Sequence, residues 1–337
     1  MVLIWIEFIL CSAVIVYCGT NLSRYGDVLA EKTGLGRAWI GLVLMASVTS
    51  LPELITGISS VALAHAPDIA LGDVMGSCVF NLTIMALMDM FHGPQPIFSK
   101  ADHGHILSAG FGVVLIGIAS VSILAGGLVP TFGWVGLYTP AIIVIYVVGI
   151  RSVFLFEKKK ILKFVDEMAE AIHYEDVTTT EAVAKYSVNA LGIIGAAAWL
   201  PFIGDRLAAA TGLGQTFFGS VFVAMTTSLP ELVVSLAALR IGATDMAIAN
   251  LFGSNLFNIF ILAMDDIFYT KGPLFADVSS THAVTGLMAV LMTGIAIVSL
   301  TFRIEKKTVL RLGWDAVALI IAYVVNIYLL YALRVAR

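Results

Sequence analysis

The chain carries the same long segment twice. Residues 26–54, GDVLAEKTGLGRAWIGLVLMASVTSLPEL, align without a gap to 204–232, GDRLAAATGLGQTFFGSVFVAMTTSLPEL, and 17 of the 29 positions are identical. After a one-residue gap the match resumes, pairing Asp68 with Asp245, Gly76 with Gly253, Ser77 with Ser254, Phe80 with Phe257, Asn81 with Asn258 and Asp89 with Asp266. Apolar stretches long enough to cross a hydrocarbon core of about 30 Å lie near 3–20, 38–64, 69–90, 106–125, 135–155, 186–203, 216–239, 246–268, 282–301 and 313–333. The offset of about 178 residues between the copies holds five of these ten stretches. Five is odd, so the second copy enters the membrane from the opposite face, and the halves form an inverted repeat.

Composition supports the membrane reading. Of 337 residues 59% are hydrophobic and 12% charged, where soluble domains carry roughly 25% charged residues. The expected fold class is an all-α membrane protein, ten transmembrane helices arranged as two inverted five-helix repeats. Residues 1–20 have no basic start, contain Glu7 and precede no small-residue cleavage pattern, so they read as a first membrane helix rather than a leader. The one long polar interruption, 157–185, contains EKKK, DEMAEAIHYED and TTTEA and is too short to fold alone. It reads as an amphipathic connector between a first repeat, 1–156, and a second, 186–337. An outside N-terminus would put 15 of the 19 Lys and Arg residues on the inner side. That bias predicts both termini outside, the connector in the cytoplasm, and a multi-pass protein of the cell membrane. The net charge of −4 says little about partners. The expectation is inorganic cations and the lipid bilayer, with no nucleic acid, no obligate protein partner and no cofactor. Cys11, Cys18 and Cys78 sit in apolar runs at no metal-ligand spacing and read as buried small hydrophobes.

Within the repeat, TSLPEL recurs at 49–54 and 227–232, inside apolar runs. Pro52 and Pro230 each remove a backbone donor and crowd the preceding turn, so carbonyls near 47–49 and 225–227 lose their helical partners. In lipid, such carbonyls are tolerated only where they line a cavity or meet a ligand. Glu53 and Glu231 stand beside the breaks among small hydroxyl residues. A lone proline in a membrane helix is usually a kink, and a lone glutamate can snorkel or pair. A Pro-Glu pair repeated at matched mid-helix positions, with no Lys or Arg in those segments, instead marks function. Loosened carbonyls, hydroxyls and two carboxylates form an all-oxygen set suited to a hard cation. The next span of each half adds GSCVFN (76–81) and GSNLFN (253–258). Ser77 and Asn81, like Ser254 and Asn258, are spaced i and i+4 and share one helix face.

These paired motifs resemble those of the cation/calcium exchanger superfamily, and most closely its prokaryotic sodium/calcium exchangers. Two alpha-repeats of the form G-T-S-x-P-E followed by G-N-x-x-G-S-N-x-x-N/D characterise that family; here they read SVTSLPEL with GDVMGSCVFN, and MTTSLPEL with ANLFGSNLFN. The resemblance covers the whole ten-helix chain. It implies that Glu53 and Glu231 are the central Ca2+ ligands and that Thr49, Ser50, Thr227 and Ser228 serve Na+ and Ca2+ through hydroxyls and carbonyls. It also implies that Ala46 and Ala224 lend carbonyls, that Ser77, Asn81, Ser254 and Asn258 complete the sites, and that the first and sixth helices move as a gate. Three kinds of departure from the pattern bear on the site. Val48 and Thr226 replace the glycine before Thr-Ser, Asn258 stands where some relatives carry Asp, and Asp73 replaces an expected Asn. Asp73 is a further candidate, either as a cation ligand or as a cap near the helix start.

The implied function is antiport of Ca2+ against Na+ by alternating access. One Ca2+ or several Na+ can neutralise the same buried carboxylates. Exchange is then obligatory if the protein moves only when those charges are compensated. Protons could compensate too, so Ca2+/H+ or other divalent antiport is the alternative, and a passive cation channel a weaker one. The Asp pair, Ser-His dyad or His set of a membrane enzyme is not visible. Asp89, Asp265 and Asp266, which precede Gly-Pro turns, read as caps or vestibule residues, and His92, His103 and His105 as members of a solvated loop.

Overall fold

The computed structural model describes residues 1–33, 49–99, 101–171, 177–240, 242–303, 306–307 and 312–335. Eleven helices fall among these residues: α1 Val2–Thr33, α2 Leu51–Ala62, α3 Pro67–Phe91, α4 His105–Ala125, α5 Tyr138–Ala171 and α6 Thr179–Thr211. They continue as α7 Gln215–Thr227, α8 Leu229–Arg240, α9 Thr244–Phe268, α10 Thr281–Phe302 and α11 Trp314–Val335. Eight are single apolar spans, and α7 with α8 makes a ninth, bent by 42°. The expected span 38–64 is described only from residue 49 and contains the apolar helix α2. Hydropathy marks the apolar window rather than the helix end. Hence α1 runs on past residue 20, and α5 and α6 reach into 157–185 as far as Ala171 and back to Thr179. One small departure from helix is an antiparallel hairpin, β1 Thr131–Phe132 with β2 Val135–Gly136, turned through Gly133 at φ 63°.

The helices that carry the motifs form the centre. α3 and α9 are the most enclosed spans and pack on each other; α2 and α8 lie against them. α4 and α10 pack together on one side, backed by α5 and α11. On the other side α1 and α6 lie side by side, α1 against α8 and α6 against α2. The outer faces present Val144, Val147, Leu191 and Ile321, as lipid contact requires.

Matched hydrogen bonds show that the halves are related by an inverted twofold. Asp89 on α3 accepts from the backbone N–H groups of Ile97 and Gly313, each at 2.7 Å. Its mate Asp266 on α9 accepts from the mates of those groups, Leu274 at 2.7 Å and Gly136 at 2.9 Å. Asp266 also takes the hydroxyls of Tyr138 (2.7 Å) and Thr139 (2.5 Å). At the opposite ends of the same helices, Asp68 accepts from Ser279 N–H and lies 2.8 Å from His282 Nε2. Its mate Asp245 accepts from Asp102 N–H and lies 3.0 Å from His105 Nε2. Both histidines are buried, so His105 is a structural partner rather than part of a solvated loop; only His103 of that trio is fully exposed. Asp89 and Asp266 do not cap their own helices, whose last caps are His92 and Tyr269, but hold backbone N–H groups of neighbouring segments. Asp265 makes neither kind of bond.

A buried carboxylate that satisfies four donors is costly to remove, because each charged hydrogen bond contributes about 1.5–3 kcal/mol. Asp266→Ala is expected to lose about 3 kcal/mol or more, measured as a lowered melting temperature in detergent. A melting temperature equal to that of the parent protein would contradict this role.

Candidate cation site

Each half breaks its chain at one serine. Ser50 (φ −88°, ψ 13°) precedes α2 and Ser228 (φ −88°, ψ 4°) precedes α8, both in the sparsely populated bridge region that ends one helix and starts another. The following Leu-Pro opens the next helix, with proline in its first turn where a missing donor costs nothing. Pro230 packs into α1, where a Cβ on Gly19 would stand only 2.7 Å from its Cγ. The proline within α6, Pro201, deprives the carbonyl of Ala197 of its helical donor. Thr56 of α2 supplies one instead, at 3.3 Å, and Ser59 donates to Ala198 at 2.6 Å.

The breaks bring the two glutamates to the centre, and the halves exchange donors there. Ser50 donates to Glu231 at 3.0 Å and Ser228 donates to Glu53 at 3.0 Å, each serine reaching across to the other repeat's carboxylate. Both glutamates are fully buried, and the second oxygen of each meets no hydrogen-bond partner. No basic side chain pairs with either among the described residues.

The other expected site residues gather round this pair. Thr49 lies at Glu231, and Ser254 approaches the same carboxylate at 3.5 Å. Ser77 sits 2.8 Å from Ser228 Oγ and 3.4 Å from the carbonyl of Ala224. Thr227 donates to Asp73 at 2.7 Å, leaving that carboxylate's other oxygen without a partner. Asp73 stands in the second turn of α3, whose cap is Ala66, so it is not a helix cap. Asn81 and Asn258 are buried one turn beyond Ser77 and Ser254. Asn81 gives its amide to Asn255 at 3.0 Å, and Asn255 in turn bonds the carbonyl of Cys78 at 3.2 Å. Ala46 and Val48 lie outside the described residues.

Two features of the site lie outside the expected set of site residues. One is a π-turn over Gly219–Val223, which places an extra residue in α7 beside the site. Gly72 and Gly76 let α3 meet that turn backbone to backbone: a Cβ on Gly72 would come within 2.8 Å of Ser220 N, and one on Gly76 would run into the Ser220 carbonyl. The other is Asn255, whose mate is Cys78; symmetry could have flagged it, since the pair face each other across the twofold. Among the described residues no three His, Cys, Asp or Glu side chains close on one point as in a resident metal centre. The donors around the glutamates are mostly neutral oxygens, a set that can hold a hard cation and release it.

Comparison with known proteins agrees with this geometry. The model of the family described as sodium/calcium exchanger protein matches residues 3–153 and 186–332. The chain belongs to that family. It is 25% identical over 263 residues, 77% of its length and 80% of the relative's, to the uncharacterised membrane protein MJ0091 of Methanocaldococcus jannaschii. It is 32% identical over 121 residues, 36% of the chain and 32% of the relative, to the sodium/calcium exchanger MaX1 of Methanosarcina acetivorans. Its fold is that of the sodium-calcium exchanger NCX_Mj soaked with Na+ and Sr2+, with a TM-score of 0.63 at 20% identity over 97% of this chain and 99% of that one. The family is one of exchangers and not of enzymes, so the activity is cation/calcium exchange across a membrane.

The glycine contacts carry a prediction for this exchanger. Overpacked cores lose about 1–3 kcal/mol, so Gly76→Ala should lower the melting temperature. Gly110→Ala on α4, where a Cβ meets nothing within 4 Å, should leave it nearly unchanged. Equal melting temperatures for the two variants would refute the close approach of α3 to the π-turn.

Proposed function

We propose that the protein exchanges Ca2+ for Na+ by alternating access, with both ions bound between Glu53 and Glu231. The observation that carries this reading is the crossed Ser50–Glu231 and Ser228–Glu53 pairing. It holds two buried carboxylates in place, each with one oxygen free of other partners. The remaining ligands are the hydroxyls of Thr49, Ser50, Ser77, Thr227, Ser228 and Ser254, the amides of Asn81 and Asn258, and the carbonyls of Ala46 and Ala224. Asp73 joins through Thr227 and brings the central charge to three. Ca2+ takes six to eight oxygens, and such a set supplies them without a dedicated cage of acids.

The mechanism follows from charge. An unneutralised carboxylate in a low-dielectric path opposes any movement that buries it further, so the empty carrier stays put and the loaded one moves. Ca2+ and Na+ compete for the same oxygens, which couples their opposite fluxes. α1 and α6, joined to the centre by Thr56, Ser59 and the Ser12–Thr226 contact of 3.1 Å, form the moving layer. Both termini lie outside, and the connector 157–185 lies in the cytoplasm of a cell-membrane protein.

Uptake of 45Ca2+ into proteoliposomes, driven by an outward Na+ gradient, an outward H+ gradient or none, tests the reading. Uptake should follow the Na+ gradient. Uptake driven by H+ alone would move the counter-ion to the proton, and uptake indifferent to both would leave a channel. Glu53→Gln and Glu231→Gln should each reduce uptake to that of protein-free vesicles while the protein still elutes as a folded monodisperse species. Normal transport by both would sink the site.

A further inference from the structure

The pseudo-twofold is broken on one side of the site, and the break concentrates charge there. Three matched positions differ in kind. Asp73 on α3 has Asn250 as its mate, Gly57 on α2 has Ser235, and Asp265 on α9 has Met88. On the neutral side the residues close on one another: Asn250 donates to Ser235 at 3.3 Å. On the acidic side Gly57 leaves space, and the Asp265 carboxylate fills it. A Cβ on Gly57 would stand 2.5 and 2.6 Å from the two oxygens of Asp265. Gly57 is one helical turn beyond Glu53.

Asp265 is fully buried, and neither of its oxygens has a hydrogen-bond partner. No ion pair reaches it among the described residues. The charges that act on it through space are further carboxylates, Asp73 and Asp266. Asp266 points elsewhere, because successive side chains on a helix diverge by roughly 100°, and it is held by four donors from the hairpin, α5 and the segment after α9. Asp265 therefore has the burial of a structural acid and none of its bonds. A buried carboxylate in a membrane helix with no basic partner requires a cation to neutralise it.

We propose that Asp265, seated over Gly57, is a subsidiary site for one monovalent cation, a proton or Na+, on one side only of the central site. A single carboxylate without gathered neutral oxygens compensates one charge and falls short of the coordination Ca2+ demands. The inference rests on the exchanger reading for its role, since a cation carried here adds one charge to each cycle. The binding itself does not depend on that reading.

The test is the melting temperature of the purified full-length protein in detergent, titrated with NaCl against choline chloride and, separately, with pH. Asp265→Asn removes the charge, and Gly57→Ala displaces the carboxylate without removing it, so the proposal remains testable if one variant does not fold. If Na+ is the ligand, NaCl should raise the parent's melting temperature by about 3 °C more than that of either variant. If the proton is the ligand, the parent should lose melting temperature towards the alkaline end of the titration, because a group that binds a proton only in the folded state stabilises it only while that proton is held. Asp265→Asn, permanently neutral, should lose less. Identical Na+ and pH responses in the parent and both variants would overturn the proposal. Failure of the exchanger reading looks different: the parent carries no 45Ca2+ while the differences in melting persist.

Discussion

The centre of this protein depends on one exchanged interaction, a serine hydroxyl from each repeat hydrogen-bonded to the glutamate of the other. Two carboxylates buried at the middle of a membrane protein repel each other, and among the described residues neither has a basic partner. Burying an unpaired charge costs several kcal/mol even after relaxation. The fold accommodates that cost only because the chain breaks at Ser50 and Ser228, which frees hydroxyls and carbonyls at the right depth. Features that look incidental serve those breaks. Gly19 makes room for Pro230, the glycines of α3 admit the π-turn of α7, and Thr56 of α2 donates to the carbonyl that Pro201 frees in α6.

The fastening of the helices differs on the two sides of that centre. α3, α4, α5, α9, α10 and α11 are tied by charged hydrogen bonds at both membrane faces, from Asp68, Asp89, Asp245 and Asp266. From α1 and α6 the contacts towards the site are single hydroxyl bonds, Thr56 to Ala197, Ser59 to Ala198 and Ser12 with Thr226, together with apolar packing. A hydroxyl that bonds a carbonyl can be remade one position along at little cost, whereas a buried aspartate with several donors cannot. The contrast sets a firmly tied block beside a layer held by weaker bonds, the layer that the proposed exchange would move.

Much of this was legible in the sequence because inversion and duplication reinforce each other. An odd number of apolar spans fixed the orientation of the second copy, and the repeated TSLPEL marked both breaks and both acids. The helices came out close to the apolar windows, except where polar residues carry α1, α5 and α6 beyond them. Contacts that join residues far apart without a local pattern were not legible. His105 looked like a loop histidine because its partner, Asp245, lies 140 positions away. The π-turn leaves no mark in composition, and Asp265 resembled the acid beside it, Asp266, since only the rotation between neighbours separates a bonded acid from an unbonded one. Mate-by-mate comparison of the halves would have added Gly57 and Asp265 to Asp73, which the motif already marked.

The aspartate fastenings share a further property. Asp89 closes on Gly313, Asp266 on Gly136, Asp68 on His282 and Asp245 on His105, and in every case the partner belongs to the opposite half. Neither five-helix half supplies the whole donor set of its own acids: Asp89 and Asp266 each find one backbone donor in their own half, Ile97 and Leu274, and the rest across the twofold. Severed at the connector, each would keep one fully buried carboxylate, Asp89 or Asp266, stripped of the donors that its companion supplies. In terms of assembly the molecule is an antiparallel dimer whose two members share one polypeptide, and the segment between α5 and α6 acts as the tether that keeps the members together.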